Sequence, residues 1–356
     1  MKILCLSDSL GYRGGAERQL SGLVYLLYRK GYDVQAATYL KQQNPSVLEL
    51  NYGLNYKCLD ASGMLSKIVK VGRLIRQNDF DTVIAYKDGP TQVCCILKML
   101  GFKFNLIVSE RNTTTRLNIR EWLKFKSYRF ANHIVPNSYS QGEYIKKHFP
   151  SLSGKISVVT NYVDTERFRP VDFVFPEIVS CIVVSSIKEQ KNPLLFIEAL
   201  NILKSKGVRI QVDWYGSINN RQLFDECHER IKKYNLQDYI KILPTSPAIH
   251  EEYPKYELFC LPSFFEGFPN TLCEAMSCGL PVIASDVCDN PFILDNGQYG
   301  MLCNPKDANS IALAIEDYIM KRRDNRKEES LRNRERIISM CSEESFVNKY
   351  IKLIEQ

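Results

Sequence analysis

The sequence predicts an α/β chain of two doubly wound parallel-sheet domains. Short apolar runs of strand length alternate with amphipathic stretches of ten or more residues from end to end, which is the pattern of βαβ units. The alternation breaks at the polar, proline-ended segment Asp164-Thr165-Glu166-Arg167-Phe168-Arg169-Pro170 and then begins again. With 356 residues, 45% hydrophobic and 24% charged, the chain is long enough for two cores and has the balance of a folded protein. Ligands of such sheets bind at the carboxyl ends of the strands, so the strand-to-helix loops are where chemistry is expected.

In the first series Ile3–Ser7 reads as a strand, followed by a Gly-rich turn and a helix over Ala16–Arg29. Asp33–Tyr39 and Thr82–Tyr86 read as strands, Pro90–Leu100 as a helix, and Asn105–Ser109, His133–Pro136 and Ile156–Val159 as further strands. The second series has strands at Ile178–Val184, Arg209–Tyr215, Tyr239–Leu243, Glu257–Leu261, Pro281–Ala284 and Met301–Cys303, with a helix over Leu194–Lys204. The expected domains are residues 1–165 and 166–335, with 336–356 a C-terminal helix packing back on the first. The charge run Arg322–Arg336 reads as a solvated helix face.

Several classes are excluded at this stage. No apolar run approaches the 18 or so residues that span a bilayer, and the N-terminal run reads as a buried strand rather than a signal-peptide core. The twelve cysteines are scattered without a Cys-x-x-Cys pair, the usage of small buried hydrophobes in a reducing compartment. The four histidines show no ligand spacing, so no zinc or other metal site is expected. Charge is unevenly divided: residues 1–165 carry a net +11 and residues 166–356 a net −4 within the overall +7. A basic half faces an anionic partner, which leaves membrane surface, nucleic acid and phosphorylated substrate open.

Two loops stand out. In Ser9-Leu10-Gly11-Tyr12-Arg13-Gly14-Gly15-Ala16-Glu17 the glycines would let backbone approach an anion at a helix start, although a tight turn explains them equally well. The spacing is neither G-x-G-x-x-G nor a P-loop. The second loop, Leu261–Ala284, leaves a strand, passes Glu266-Gly267-Phe268-Pro269, enters a helix over Asn270–Cys278, stops at Gly279 and restarts at Pro281. Glu266 lies in the loop and Glu274 in the helix, bracketing the helix's first N–H groups. Two acids around an anion hole suit a diphosphate with hydroxyls on either side, the layout of a nucleotide sugar.

Glu266-x7-Glu274, with Glu-Gly-Phe-Pro-Asn-Thr-Leu between strand and helix, resembles the signature of the family 4 retaining glycosyltransferases of GT-B fold, whose two Rossmann-like domains face across a cleft. Gly14-Gly15-Ala16-Glu17 is similar to the family's N-terminal glycine loop. The stretch from Val158 to Phe168 is similar to its segment before the interdomain linker, and Ser185-Ser186-Ile187-Lys188-Glu189-Gln190-Lys191-Asn192-Pro193 to its donor-phosphate loop. The resemblance extends over essentially the whole chain. It implies an acceptor-side first domain and a nucleotide-sugar-binding second domain. Glu266 would contact donor-sugar hydroxyls near the reacting carbon, and Glu274 would accept from the ribose hydroxyls. Amides around Phe268–Thr271 would hold the diphosphate, with Lys191 neutralising the charge that grows on the leaving group. Gly14, Gly15, Ser186, Lys188, Gly216, Gly267, Phe268, Pro269, Asn270 and Thr271 complete the implied donor set. The family's phosphate loop carries an arginine where this chain has Ser186, and Lys188 is the candidate substitute. No metal or other cofactor is implied.

Ser109-Glu110-Arg111-Asn112 at a strand's carboxyl end resembles a subgroup acting on polyprenyl-linked glycans in polysaccharide and O-antigen biosynthesis. Glu110 or Arg111 would stand in for the family's histidine near the donor sugar, with Arg111 binding an acceptor phosphate or the donor; pairing of Arg111 with a local acid is the plain alternative. Arg116–Phe130 mixes cations and aromatics at helical spacing, and Leu65–Arg76 places Lys67, Lys70, Arg73 and Arg76 toward one side. The aromatics Trp122, Phe125 and Phe130 are expected in the core, whereas the +11 of the domain points to an anionic membrane. Asp79-Phe80-Asp81 precedes a strand, at the wrong end for a site, and reads as a polar turn. His228 and His250 read as surface residues, and Asn137-Ser138-Tyr139-Ser140 as a helix cap.

The leading reading is therefore a metal-independent retaining enzyme. It would pass a hexose or N-acetylhexosamine from a UDP-sugar to a glycan on a polyprenyl diphosphate, and the protein would be cytoplasmic and peripheral on the inner membrane face. A UDP-sugar epimerase on the same fold is the enzymatic alternative. An RNA-binding α/β protein is the non-enzymatic one, weakened by the lack of an RNA motif.

Overall fold

The computed structural model describes residues 1–11, 15–40, 47–114, 116–171, 176–322 and 326–356. It divides into two units, residues 1–162 with 343–356, and residues 163–342.

The first unit begins with β1 (Lys2–Ser7), α1 (Gly15–Arg29), β2 (Asp33–Thr38), α2 (Val47–Tyr52) and β3 (Tyr56–Cys58). It continues through α3 (Met64–Asn78), β4 (Thr82–Tyr86), α4 (Asp88–Met99), β5 (Asn105–Glu110), α5 (Ile119–Ser127), β6 (His133–Pro136) and α6 (Tyr139–His148). All six strands are parallel, in the order β3-β2-β1-β4-β5-β6, and neighbouring helices cover both faces, which is why the strands read as unbroken apolar runs. Alternate residues feed two cores. Leu4, Leu6, Val83, Leu106 and Val108 pack with α3, α4 and α5; Ile3, Cys5, Ile84 and Ile107 pack with α1 and with Phe346, Val347 and Tyr350 of the C-terminal helix Glu343–Ile354.

The second unit holds β7 (Val179–Val184), α7 (Pro193–Ser205), β8 (Ile210–Tyr215), α8 (Arg221–Lys233), β9 (Ile240–Leu243), α9 (Ile249–Glu252) and β10 (Leu258–Leu261). Then come α10 (Asn270–Ser277), β11 (Val282–Ser285), α11 (Asn290–Ile293), β12 (Met301–Cys303), α12 (Ala308–Asp317) and α13 (Arg326–Cys341). Its sheet is also parallel, ordered β12-β11-β10-β7-β8-β9. The segment Glu343–Ile354 is α14. In each sheet the order reverses beside the first strand, placing the β1 and β7 loops at a switch point.

Some expectations change. Ile156–Val159 is not a strand: only Ile156 bridges to Ile134, while the amides of Ser157 and Val159 donate to the carbonyls of Ile134 and Pro136. The first unit stops at Tyr162 rather than 165, and residues 336–356 are divided, because α13 belongs to the second unit. The charge run is not simply a solvated face. Arg334 donates to the carbonyls of Thr165, Phe168 and Ser277, and Ile337 and Cys341 are buried against α10. Asp79-Phe80-Asp81 is a turn whose Asp81 carboxylate accepts from the Lys2 amide (2.7 Å) at the amino end of the sheet. Ten of the twelve cysteines are buried and all are free thiols; burial pushes that of Cys278 up to about 12. His228 is exposed, but His250 is half-buried, its ring in a T-shaped contact with Phe168.

Candidate active site

The strongest site residues sit at the carboxyl edge of the second sheet. After β7 the chain runs through Ser185, Ser186 and Lys188 into a single 3-10 turn, Glu189–Lys191. Asn192 then adopts a left-handed backbone (φ 59°), and its amide side chain donates to the carbonyls of Pro262 and Pro305. Pro193 opens α7, where its missing N–H costs nothing. Gln190 joins this loop to the one after β10: its side chain donates to the Phe265 carbonyl (2.7 Å), and its own carbonyl accepts from the Phe264 amide (2.8 Å). The result is an ion pair between Lys191 Nζ and Glu266 Oε1 at 2.5 Å, both side chains largely shielded. Lys188 shares this field. Burial and the Lys191 ammonium lower its pKa, and Glu266 partly restores it.

The Glu266 loop is braced from a third strand, since the Glu266 amide donates to Cys288 Sγ beyond β11 (3.4 Å). Phe268 is buried, and Pro269 caps α10. Within Phe268–Thr271 the Asn270 amide donates to the Phe268 carbonyl. Glu274, one turn into α10 and 6% exposed, accepts from the Tyr253 hydroxyl at 3.2 Å. Gly279 ends α10 with φ +74°. Gly216, expected in the donor set, is accounted for by packing: a Cβ there would fall inside the Ser185 carbonyl.

In the first unit Gly14 lies outside the described residues, and Gly15 opens α1. Glu17 in the first turn of α1 forms an ion pair with Lys87, which follows β4 with φ 70°. Asp8, directly after β1, has its carboxyl pKa raised by burial against the lowering effect of Lys67 and Lys87; it lies where a Cβ on Gly89 would clash. Glu110 ends β5 fully buried. It accepts from the Tyr128 hydroxyl (2.6 Å) and the Asn112 amide, and burial raises its pKa despite Lys124 at 3.2 Å. Lys124 also meets Asp88 and Glu121.

Among the described residues Arg111 pairs with no acid. Its Nε donates to Ser109 Oγ (2.7 Å), Nη1 to Asn161 Oδ1 (2.8 Å), and Nη2 to the hydroxyls of Tyr86 and Tyr350, with the guanidinium 4.5 Å from the Tyr86 ring centre. Pairing with a local acid thus gives way to a tie between the β5 loop and α14. Ser138 caps α6 by accepting from the Gln141 amide.

The structure therefore brings Lys188, Lys191 and Glu266 together, sets Glu274 a turn into α10, and keeps Glu110 and Arg111 engaged inside the first unit. The charged set Asp8, Glu17 and Lys87 was not anticipated as a group; its one sequence signal is polar residues directly after the apolar runs of β1 and β4. Among the described residues no cluster of three or more His, Cys, Asp or Glu is arranged to hold a metal ion, and no helix is long and apolar enough to cross a membrane.

Residues 13–167 match the family model described as Glycosyltransferase Family 4, and residues 174–336 match Glycosyl transferases group 1. The chain is 23% identical over 254 residues to N-acetylgalactosamine-N,N'-diacetylbacillosaminyl-diphospho-undecaprenol 4-alpha-N-acetylgalactosaminyltransferase of Campylobacter jejuni, 68% of each protein. It is 26% identical over 316 residues to the amylovoran biosynthesis glycosyltransferase AmsD of Erwinia amylovora, covering 83% of this chain and 84% of that one. Among solved structures, Anabaena HepE in complex with UDP has the same fold, with TM-score 0.84 at 17% identity over 100% of both chains. Matched in both units by models of one enzyme class, the chain belongs to the family 4 glycosyltransferases of GT-B fold.

Proposed function

We propose that the chain transfers a hexose or N-acetylhexosamine from a UDP-sugar to a lipid-linked glycan in cell-surface polysaccharide synthesis, retaining the anomeric configuration and using no metal. The observation that carries the reading is the Lys191–Glu266 pair, with Lys188 in the same field. Lys188 and Lys191 bring two ammonium groups to Glu266, which suits a diphosphate whose charge grows as it departs. An ammonium has three donors, so Lys191 can hold Glu266 and still reach a phosphate oxygen. In this reading Glu266 accepts from donor-sugar hydroxyls and Glu274 from those of the ribose.

UDP is the ligand of the Anabaena structure, and a diphospho-undecaprenol-linked glycan is the substrate in the Campylobacter relative's name; both support this choice of partners. The basic first half and the exposed Arg73 and Arg76 of α3 support peripheral attachment to the inner membrane face, a cation contributing about 1 kcal/mol near an anionic surface; Lys67 and Lys70 are turned to Asp8 and to the carbonyls of Leu59 and Asp60. The test is incubation with a synthetic polyprenyl-diphosphate sugar and a panel of UDP- and GDP-sugars in EDTA, with Glu266→Ala and Lys191→Ala in parallel. Transfer from one donor that survives EDTA and disappears in both variants is expected, with the product's anomeric configuration read by NMR. Failure to bind UDP would sink the proposal.

A further inference from the structure

The amphipathicity of α5 is inverted. Its inward side carries charge: Lys124 is buried among Glu110, Asp88 and Glu121, with Phe125 and Tyr128 completing that face. Its outward side is apolar. Ile119 is 81% exposed, Leu123 58% and Trp122 40%, and these positions fall at i, i+4 and i+3, one stripe on the helix. A surface helix of a water-soluble domain has the opposite arrangement. Trp122, expected in the core from the sequence, is outside it, while Phe125 is fully buried as expected.

Along the described part of this segment the apolar stripe is flanked by cations. Arg116, Arg120 and Lys126 are exposed, and Lys126 Nζ lies 4.4 Å from the Trp122 ring centre. The single acid of the helix, Glu121, is turned inward to Lys124. Apolar side chains ringed by basic ones, with a tryptophan among them, match the boundary between acyl chains and anionic head groups. Asn118 fixes where the helix starts by accepting from the Glu121 amide (2.9 Å).

We propose that the outward face of α5 is a membrane anchor: Ile119, Trp122 and Leu123 enter the interfacial zone of an anionic bilayer, and Arg116, Arg120 and Lys126 meet its phosphates. This rests on the lipid-linked acceptor proposed above and names the surface through which the enzyme reaches it. The anchor is coupled to the β5 loop, because the inward face of the same helix holds Glu110 through Lys124.

The chain reports on its own insertion. It has two tryptophans, and Trp214 is buried within the second unit, so Trp122→Phe isolates the Trp122 signal by difference. On adding vesicles of phosphatidylglycerol and phosphatidylcholine, Trp122 emission is expected to shift to the blue and to be quenched by brominated acyl chains. Replacing Ile119 and Leu123 by serine should weaken vesicle partitioning by about tenfold or more. Both side chains lie outside the core, so the melting temperature of that variant should be unchanged. Partitioning with unshifted Trp122 emission, or no partitioning at all, overturns the anchor; so does a shift that appears without lipid as the protein self-associates. UDP titration of the same preparations separates the two readings. Insertion without nucleotide binding defeats the transferase proposal and leaves the anchor, and nucleotide binding without insertion does the reverse.

Discussion

In the proposed reaction Lys191 and Lys188 divide the work of holding a leaving group, and their chemistry predicts different failures. Removing the ammonium paired to Glu266 takes away charge stabilisation that matters most in the transition state. Lys191→Ala should therefore lower kcat by about 10²–10³-fold, the magnitude of losing one such donor, with a smaller change in UDP affinity by calorimetry. Lys188 is expected to act through pH. Its pKa lies below the ordinary lysine value because of burial and Lys191, so it loses its proton, and its attraction for a diphosphate, earlier as pH rises. UDP affinity should decline on the alkaline side, and Lys188→Met should remove that part of the decline. Taking the difference between the two proteins cancels the titration of UDP itself. Arg111 shows why residue roles were the least legible part of the sequence. A guanidinium at a strand's carboxyl end reads as a ligand cation or the partner of a local acid; its contact with Tyr350, 239 residues on, is one that nothing local announces.

At the scale of elements, the parallel strands were legible because each is buried on both faces and reads as an unbroken apolar run. Thr82–Tyr86, His133–Pro136 and Met301–Cys303 match their expected bounds, and most others differ by a residue or so at an end. The misses have physical causes. β3 has three residues at a sheet edge, too few to show a period. Ile156–Val159 is apolar and extended but makes only one bridge. In α5 the periodicity was readable, yet which stripe faces inward was not, because a buried ionic cluster reverses the usual assignment. That cluster gives a test. Lys124→Met leaves Glu110, Asp88 and Glu121 facing one another without their shared cation, and breaking a buried ion pair on one side costs about 3–5 kcal/mol. The deficit in urea unfolding should be largest near pH 8. It should shrink toward pH 5, because Glu110 binds its proton at higher pH than an ordinary glutamate and its unpaired charge is then removed.

At the scale of the molecule, both sheets were anticipated, but the division of the chain was only roughly placed. The first unit is discontinuous, taking residues 343–356 as well as 1–162. Phe346, Val347, Tyr350, Leu353 and Ile354 are buried in its core, and the Asn105 side chain donates to the Leu353 carbonyl (2.9 Å). At about 1.5–3 kcal/mol for each large apolar side chain, losing α14 approaches the 5–15 kcal/mol stability of a whole domain. Removing residues 343–356 should therefore abolish the cooperative melting of the first unit, followed by limited proteolysis within residues 1–162. The contiguous second unit should keep its own transition.

The late arrival of α14 also dictates a timetable during synthesis. Residues 163–342 leave the ribosome as a complete set and can close their core while the earlier-made residues 1–162 still lack a wall. The usual order, in which the N-terminal domain finishes first, is reversed here. For about 180 residues of translation the apolar surface of α1 and β1 that α14 will cover lacks its partner, so the nascent first unit is the part of this chain most open to wrong apolar contacts during synthesis.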